Sequence, residues 1–395
     1  MFEPHFAGEG SLFRGVVDLK AASFISEHAS FTFDAKEAYV STSSRWSKNH
    51  EIAAGRRLVD WSRADREWNM GTWSPRFTLD PFEWEPVGMT GFFYGYRSQK
   101  WAVTAMVTPI SVPELGIPVS EKDGKLIYAS PMSVPLQDQV AVMGQLVPIK
   151  YSLAFPDAKD ILLKPGVAIG SRFKDDSGFW AGGSYGYMPI HQSDLAVNAQ
   201  LDAQAGVVQT DLHPRFPMHH LATAELGYDS NYWSLWGSVT GELPEQVPTP
   251  SGWLHNNIGN TLITAWGGEL RWQEGLRLFA SYLQVDESKT AQASSSMTIA
   301  LPERYLFRRA WKAGGGWAGA SPISYDFAWT FDAENSSNLV SMDVHFKPGA
   351  GRVDPGRARW SVGVGADFIS TATGVGWIGQ YQGNDRVRGK LTYEF

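Results

Sequence analysis

The chain has 395 residues, with 34 Lys and Arg against 41 Asp and Glu, a formal net charge of −7 and no cysteine. The lack of cysteine excludes thiol catalysis, disulfide bonds and thiolate metal sites, and the absence of a dominant basic block argues against nucleic-acid binding. No run of about 18 apolar residues exists, which excludes a transmembrane helix. Aromatic residues make up 13% of the chain and include 17 Trp, a residue favoured where an apolar body meets a wet headgroup layer.

Segments with alternating apolar and polar side chains recur along the chain, and this period of two predicts β-strands. The first eleven segments are 10–20, 31–40, 51–60, 88–97, 101–107, 165–174, 179–188, 221–228, 232–242, 262–272 and 276–284. Segment 304–312 is ambiguous because its apolar residues do not alternate cleanly. The clearest alternation follows, in segments 323–332, 340–347, 359–368 and 386–395. Most of these segments are about ten residues long, the length at which a tilted strand crosses a bilayer.

The connections between these segments are short and long in turn. Tight turns lie at 97–100, 175–178, 229–231 and 273–275, and long links lie at 61–87, 108–160, 189–217, 243–259 and 286–318. This alternation is typical of a transmembrane antiparallel β-barrel with short periplasmic turns and long extracellular loops. We therefore predict an all-β fold, a single barrel domain over residues 1–395 with about 16 strands (roughly 14 to 18) and an even strand number. The alternative is a soluble all-β protein, such as a propeller or a large sandwich.

The C-terminus, where Tyr393 stands two residues before Phe395, resembles the insertion signal of bacterial outer-membrane barrels. The resemblance implies a location in the outer membrane of a Gram-negative bacterium. It also implies outer-membrane lipids and the barrel-insertion machinery as partners. The first residues are acidic and lack an apolar segment, so no secretory signal is visible. We therefore expect that a signal peptide was removed on secretion.

A second resemblance lies at residues 55–65, Gly-Arg-Arg-Leu-Val-Asp-Trp-Ser-Arg-Ala-Asp. This segment is similar to a strand near the N-terminus of alginate-export-like barrels and related porin-type channels. In those proteins Gly and a basic residue lead into a Trp-Gly pair and an acidic residue, followed by a Pro-containing loop. Here Ser62 stands where Gly is usual, and Pro75 and Pro81 follow without the usual Asn-Pro step. The resemblance implies a relative of channel-type barrels and does not identify a cargo.

A barrel of this size encloses a polar lumen, and inward charged side chains set its selectivity. The pore-lining candidates are Arg56, Arg63, Arg172, Arg308, Arg359, Asp326, Asp343, Asp367, Arg386, Arg388 and Lys390. Guanidinium groups in such a wall attract anions and bind carboxylate or phosphate through two hydrogen bonds. The competing interpretation, which we favour for any single arginine, is an ion pair with an acidic residue of a neighbouring strand.

Tryptophans on the apolar faces are expected to form girdles at the two bilayer edges. The girdle candidates are Trp233, Trp266, Trp272, Trp329 and Trp360. The sharper alternative is an aromatic track for sugars inside the pore. It would require inward-facing rings, for which Tyr232, Trp236 and Phe279 are the candidates.

The function expected first is a channel for passive passage or export of a hydrophilic solute, with a polysaccharide as one candidate cargo. The alternative is a closed scaffold or binding barrel whose long loops engage envelope or surface partners in adhesion, motility or polysaccharide attachment. An outer-membrane hydrolase comes third. We expect no enzyme activity, no cofactor and no metal site, because the nine His show no HExxH-like spacing.

Loop 108–160 contains several prolines and is expected to fold inward as a constriction or plug, or outward as a partner surface. The state of the lumen separates the first two functions. A channel requires an open lumen, whereas a scaffold requires a filled lumen and large ordered loops.

Overall fold

A computed structural model describes residues 4–24, 30–128, 136–246, 253–255, 259–272, 275–288, 304–319, 321–347 and 359–394. The strands up to residue 153 are β1 (His5–Glu9), β2 (Phe13–Phe24), β3 (Ser30–Thr42), β4 (His50–Arg57), β5 (Arg76–Thr78), β6 (Glu85–Pro86), β7 (Met89–Arg97), β8 (Trp101–Ile110), β9 (Leu115–Gly116), β10 (Val119–Lys122), β11 (Lys125–Tyr128), β12 (Gln139–Val142) and β13 (Gln145–Leu153). The remaining strands are β14 (Gly166–Lys174), β15 (Phe179–Pro189), β16 (Asp194–Asp202), β17 (Val207–Arg215), β18 (Met218–Asp229), β19 (Trp233–Pro244), β20 (Leu254–His255), β21 (Thr261–Arg271), β22 (Leu276–Glu287), β23 (Arg309–Trp317), β24 (Ile323–Asp332), β25 (Ser337–Phe346), β26 (Arg359–Thr371) and β27 (Arg386–Glu394). The helices are α1 (Arg63–Trp68), α2 (Ala158–Leu162) and α3 (Gly376–Gly379). None of the described helices is long and apolar enough to cross a membrane.

Seventeen strands form one continuous sheet in which each strand pairs antiparallel with the next. Its order is β1, β2, β3, β4, β7, β8, β14, β15, β18, β19, β21, β22, β23, β24, β25, β26 and β27. The predicted all-β barrel is therefore confirmed, and 17 strands lie within the predicted range. The predicted even strand number is wrong for the described residues, since the short β1, with 5 residues, pairs with β2 as a seventeenth strand.

The two faces of the sheet differ in polarity, as β19 shows most clearly. The even-numbered residues of β19, from Ser234 to Pro244, are all buried, whereas Trp233, Leu235 and Val239 are exposed. Large apolar side chains are exposed in the same way on the outward faces of the other long strands, for example Ile169, Leu226, Trp266, Trp311, Phe327, Val344 and Leu391. An apolar band of this extent on the outside, around an interior with many polar and charged side chains, is the construction of an outer-membrane β-barrel.

From β4 to β21, connections of unequal length distinguish the two ends of the barrel. Short turns at 98–100, 175–178 and 230–232 lie at one end, and the long connections 58–88, 111–165, 190–217 and 245–260 lie at the other. By the rule for such barrels, these are the periplasmic and extracellular ends. One predicted link is wrong at its boundary, since 286–318 includes the whole of β23. The consecutive Gly314, Gly315 and Gly316 leave no side chains from which an alternation could be read.

Residues 58–88 (the inner loop) connect β4 to β7 and lie inside the barrel. The loop carries α1, which begins after Ser62 and ends at Asn69. The Ser62 hydroxyl accepts a hydrogen bond from the backbone N–H of Asp65 at 3.3 Å, and Asn69 takes the left-handed conformation with φ 47°. Trp73 and Phe77 of this loop are each only 1% exposed. Two apolar clusters join the loop to inward-facing residues of the wall, so the loop forms part of the core of the barrel.

Three long connections build a second sheet, β12-β13-β17-β16-β20 (the outer sheet). Strand β13 pairs parallel with β17, and the sheet has its own core around Val140, Ile149, Tyr151, Val197 and Val208. The proline-containing loop 108–160 contributes β12 and β13 to this sheet. The segment that enters the lumen is the inner loop, which lies earlier in the chain.

Candidate functional site: the inner loop and the cavity beside it

The first residues of the inner loop are tied to β15 and β18. The carbonyl oxygen of Trp61 accepts a hydrogen bond from the Ser184 hydroxyl at 2.8 Å. The carboxylate of Glu225 accepts hydrogen bonds from the backbone N–H of Arg63 at 2.6 Å and from the Ser62 hydroxyl at 3.1 Å. Because Ser184 and Glu225 belong to the wall, the loop starts its path across the lumen from a fixed position.

The side chain of Arg63 holds α1 against the wall. Its guanidinium lies 5.2 Å from the ring centroid of Trp236 and 5.9 Å from that of Trp180. It also lies 3.9 Å from the Asp229 carboxylate. Burial lowers the pKa of Arg63 from its ordinary value, although the group remains charged because guanidinium is a very weak acid. The predicted pore-lining residue Arg63 thus belongs to the inner loop and not to a strand of the wall.

Trp73 contacts the same side of the barrel. Its indole N–H donates to the Thr223 hydroxyl at 2.9 Å, and its ring stacks on Trp61 with 5.8 Å between centroids. The turn before Trp73 is fixed by Asp65, whose carboxylate accepts from the backbone N–H and hydroxyl of Thr72 at 2.9 and 2.6 Å. Burial raises the pKa of Asp65 above its ordinary value.

The second half of the inner loop is tied to the C-terminal strand. The Arg386 guanidinium on β27 donates to both carboxylate oxygens of Asp80, at 2.8 and 2.7 Å. It also lies over the Phe82 ring, 4.8 Å from the centroid, and the neighbouring Arg388 pairs with Glu83. These contacts tie the second half of the inner loop to β27, which is the last strand of the sheet.

Further ties connect the loop to β2, β3 and β23. Glu85 forms ion pairs with Lys20 at 3.0 Å and with Lys36 at 3.3 Å. The Lys312 ammonium donates to the carbonyl oxygen of Glu67 at 3.2 Å. The inner loop is therefore anchored around the circumference of the lumen, from the second strand of the sheet to the last.

Buried charges join the loops at the extracellular end. Arg76 of the inner loop forms a two-bonded ion pair with Glu114, at 2.5 and 3.1 Å. The fully buried carboxylate of Glu242 accepts hydrogen bonds from Arg304 and Tyr305 and contacts the His219 ring. Removing one member of such a buried pair leaves an uncompensated charge, so these contacts bind the loops firmly to each other.

A polar cavity of about 560 Å³ remains between the inner loop and the periplasmic end. Part of its wall is built from small inward residues, Gly95, Ala102, Thr104, Gly170, Gly182 and Ser184. Its charged lining comprises Arg14, Lys48, Arg57, Arg97 and Arg172 together with Glu9, Glu51, Asp60 and Glu225. Trp61 of the inner loop also lines the cavity. The small side chains leave the volume of the cavity open, and the charged side chains make its lining polar.

Ion pairs involve many of the predicted pore-lining residues. Arg56 pairs with Asp34 at 2.5 Å, Arg308 pairs with Glu287 at 3.3 Å, and Arg277 lies 3.6 Å from Asp326. A cluster near the C-terminus joins Arg386 and Arg388 to Asp343 and Asp367, with Arg388 3.0 Å from each carboxylate.

Two other candidates, Arg172 and Lys390, have no ion pair in the part of the chain that the structure describes. Arg172 stacks on Trp180, 4.0 Å from the ring centroid. In the register of the sheet, Lys390 lies opposite Gly363, and Arg359 lies opposite Glu394. The Arg359 side chain lies outside the described residues.

The proposed girdle residues lie on or next to outward faces. Trp233, Trp266 and Trp360 are exposed on their strands, and Trp272, also exposed, directly follows β21. The Trp329 indole donates to the Asn338 side chain of the adjacent strand at 3.0 Å. Of the residues resembling an insertion signal, Tyr393 lies in β27 and Phe395 lies outside the described residues.

The surroundings of two inward-facing residues, Trp236 and Ser184, differ from what their sequence patterns suggest. Trp236, a candidate for an aromatic track, does face inward, but it is buried under Arg63. Ser184 stands in a Gly-x-Ser-x-Gly sequence, residues 182–186, a pattern that in hydrolases places the serine on a sharp strand-to-helix turn. In this chain the segment lies within β15, and the Ser184 hydroxyl is hydrogen-bonded to Trp61.

Comparison with solved structures gives outer-membrane barrels. OccK9 (OpdG) of Pseudomonas aeruginosa is 9% identical, with 98% of this chain and 87% of that chain covered and a TM-score of 0.45. The anion-selective porin of Comamonas acidovorans is 10% identical, with 94% and 92% covered and a TM-score of 0.41. Wzi of Escherichia coli, a carbohydrate-binding β-barrel involved in group 1 capsule assembly, is 11% identical, with 93% and 74% covered and a TM-score of 0.43. No protein-family model and no curated protein matches the sequence.

Proposed function

We propose that the protein is a closed outer-membrane barrel that acts through its extracellular loops, as a scaffold or binding barrel. The observation that carries this proposal is the path of the inner loop. One half of the loop is held by Glu225 and Thr223 on β18, and the other half by Arg386 on β27. A loop fixed on several walls narrows the lumen, and its many attachments support a closed barrel over a channel with a continuous open path.

Moving the inner loop aside would have a high free-energy cost. It would expose the buried rings of Trp61, Trp73 and Phe77, each worth about 1.5–3 kcal/mol or more of apolar burial. It would also separate Arg76 from Glu114, and both side chains of this pair are buried. The arrangement therefore supports a permanently filled lumen over a freely opening gate.

The outer sheet supplies an ordered surface at the extracellular end. Its β12–β13 hairpin presents Met143, which is fully exposed, and Leu146, which is 72% exposed. Strand β12 is also an edge strand of this sheet, and an edge strand offers unpaired backbone groups to an added strand. This surface suits an envelope or cell-surface partner in the proposed scaffold function.

Solute permeation into liposomes tests the closed state. We expect liposomes that contain the folded protein to admit a small neutral sugar no faster than protein-free liposomes. Folding is checked by the shift in electrophoretic mobility between unheated and heated samples. Sugar entry at the rate given by a general porin, from protein shown to be folded, would contradict the proposal.

A channel for a hydrophilic solute is the second candidate function, and the polar cavity favours it. The cavity occupies the periplasmic side of the lumen and would continue into an aqueous path if the inner loop moved. This candidate predicts measurable sugar entry by the unmodified protein, and it therefore gives the opposite result in the same assay.

A further inference from the structure

Two arginines of the polar cavity lie on one row of the barrel wall. In the register of the sheet, Arg97 on β7 and Arg172 on β14 both lie opposite Ala102 of β8. Continuing the row, Gly182 lies opposite Arg172, and Glu225 lies opposite Gly182. Since neighbouring strands are about 4.8 Å apart, the two arginine backbones are about 10 Å apart with only a methyl group between them. Their long side chains can therefore serve one ligand.

Protein donors already satisfy the acidic groups of this cavity. Glu9 accepts hydrogen bonds from two serine hydroxyls at 2.7 and 3.0 Å, and Glu51 pairs with Arg57 at 2.9 Å. Asp60 pairs with an arginine of α1. Glu225 accepts from one backbone N–H and two serine hydroxyls. Each carboxylate of the lining thus already has protein donors, and the four acidic side chains of the lining are outnumbered by five basic ones.

Most basic groups of the cavity, by contrast, have no acidic partner among the described residues. Within the described ranges, Arg14, Lys48 and Arg97 have no acidic partner, and Arg172 only stacks on the Trp180 ring at 4.0 Å. A guanidinium without a carboxylate retains its five N–H donors for another acceptor. The unsatisfied charge of the cavity is therefore positive, although the formal charge of the whole chain is −7.

Hydroxyl groups form much of the remaining lining. Ser41, Thr42, Ser47, Thr104 and Ser184 all line the cavity. Ser41 is only 1% exposed, and its hydroxyl has no hydrogen-bond partner among the described residues. A buried hydroxyl without a partner is costly and is usually satisfied by water or a ligand. The volume of about 560 Å³ falls within the range of about 300–1,000 Å³ found for small-molecule sites.

We propose that this cavity binds a hydroxyl-bearing anion, an acidic monosaccharide or a sugar phosphate, from the periplasmic side. Arg97 and Arg172 hold its charged group, and the serine and threonine hydroxyls contact its own hydroxyls. The proposal goes beyond a closed scaffold barrel and does not depend on it, because the cavity lies on the periplasmic side of the inner loop and is reached without crossing it.

Titration of the full chain, folded in detergent micelles at low ionic strength, tests the proposal. The probes are D-glucuronate, glucose 6-phosphate and glucose, and binding is followed by calorimetry. We expect at least one of the two anions to bind and glucose to bind much more weakly. The tighter of the two anions identifies carboxylate or phosphate as the charged group. Added salt weakens the binding, because the site is solvated.

Variants with matched charge loss identify the residues. Arg97→Gln and Arg172→Gln each weaken anion binding about tenfold, the effect of one charge-assisted hydrogen bond. Arg271→Gln, at another periplasmic turn and paired with Glu269, leaves it unchanged. Electrophoretic mobility before and after heating shows that every variant is folded. Equal affinity for glucose and both anions, no anion binding by the folded protein, or unchanged binding in both cavity variants would overturn the proposal.

Discussion

The indole N–H of Trp73 donates to the Thr223 hydroxyl on the inner face of β18 at 2.9 Å, across 150 positions of sequence. Thr223 lies in turn 2.8 Å from the Thr240 hydroxyl on β19. All three side chains are buried. The inner loop, which connects β4 to β7, is thereby packed into the core of the barrel. Through the Trp73–Thr223 contact it is linked to both β18 and β19.

Replacing Thr223 with Val tests that contact. Thr223→Val keeps the shape of the side chain but leaves the buried Trp73 indole N–H without an acceptor. We expect the free energy of unfolding to fall by about 1–3 kcal/mol, measured by tryptophan fluorescence in urea. Thr264→Val, on the outward face of β21, is the matched control and should have little effect. Equal changes in the two variants would show that the hydrogen bond does not hold the loop.

Arg386→Gln separates the second half of the inner loop from β27. It removes the hydrogen bonds to Asp80 and the ion pair with the buried Asp367. We expect a loss of about 1.5–3 kcal/mol in stability and faster protease cleavage within residues 58–88. The control is Arg277→Gln, whose pair with Asp326 is half-exposed on both sides and should contribute less than about 1 kcal/mol. Cleavage of the inner loop at the wild-type rate in Arg386→Gln would contradict the anchoring role of this arginine.

Glu242→Gln affects the buried charges at the extracellular end. The substitution removes the carboxylate charge that the buried Arg304 contacts directly. Breaking a buried pair in this way costs about 3–5 kcal/mol, which we expect as a clear fall in the temperature at which electrophoretic mobility changes. Glu269→Gln removes a more exposed partner, that of Arg271, and should cost less than about 1 kcal/mol. If both variants melt together, the buried network does not stabilise the loops.

We expect low pH to destabilise the packing of the loops around His191. The pKa of His191 is lowered to about 3. Burial is the largest cause, and the nearby His219, Arg304 and Arg76 also lower it. A released loop would have an ordinary histidine pKa of about 6.5, so below that pH the released form takes up a proton that the packed form does not. The stabilisation is therefore full above about pH 6.5 and is lost as the pH falls toward 3.

Hydrogen exchange of residues 190–193 at neutral and acid pH measures this effect. The protection factors of these amides, which are corrected for the intrinsic pH dependence of exchange, should fall on acidification in the wild type and much less in His191→Phe, which has no group to protonate. The same fall in both proteins would exclude His191 as the cause.

The strands could be predicted from sequence because their pattern is local. In β26 and β27, alternation alone places Asp367 and Arg386 on one face, and the structure pairs them. By contrast, the partner that Arg386 finds in Asp80 lies 306 positions away. No periodicity contains that information, since it depends on how a loop folds inside the barrel.

The prolines of loop 108–160 favour a constriction or a partner surface there, whereas the segment that lies inside the barrel is the inner loop. A usable signal exists in the composition of the inner loop, since Trp61, Trp68, Trp73 and Trp84 fall within one connection between strands. Such a density of large apolar rings is unusual for a solvated loop and indicates burial. A signal for structure within loop 108–160 is Asp123-Gly124, whose φ values of 55° and 78° close the β10–β11 hairpin.

The filled lumen is tested most directly by single-channel recording on a matched pair of proteins in a planar bilayer. The pair consists of the wild type and a variant in which residues 62–86 are replaced by a short Gly-Ser linker, each shown to be folded by its electrophoretic mobility before heating. We expect no stable conductance steps from the wild type and large, stable steps from the shortened variant. Stable steps of similar size from both proteins would contradict the account, because the inner loop would then not close the pore.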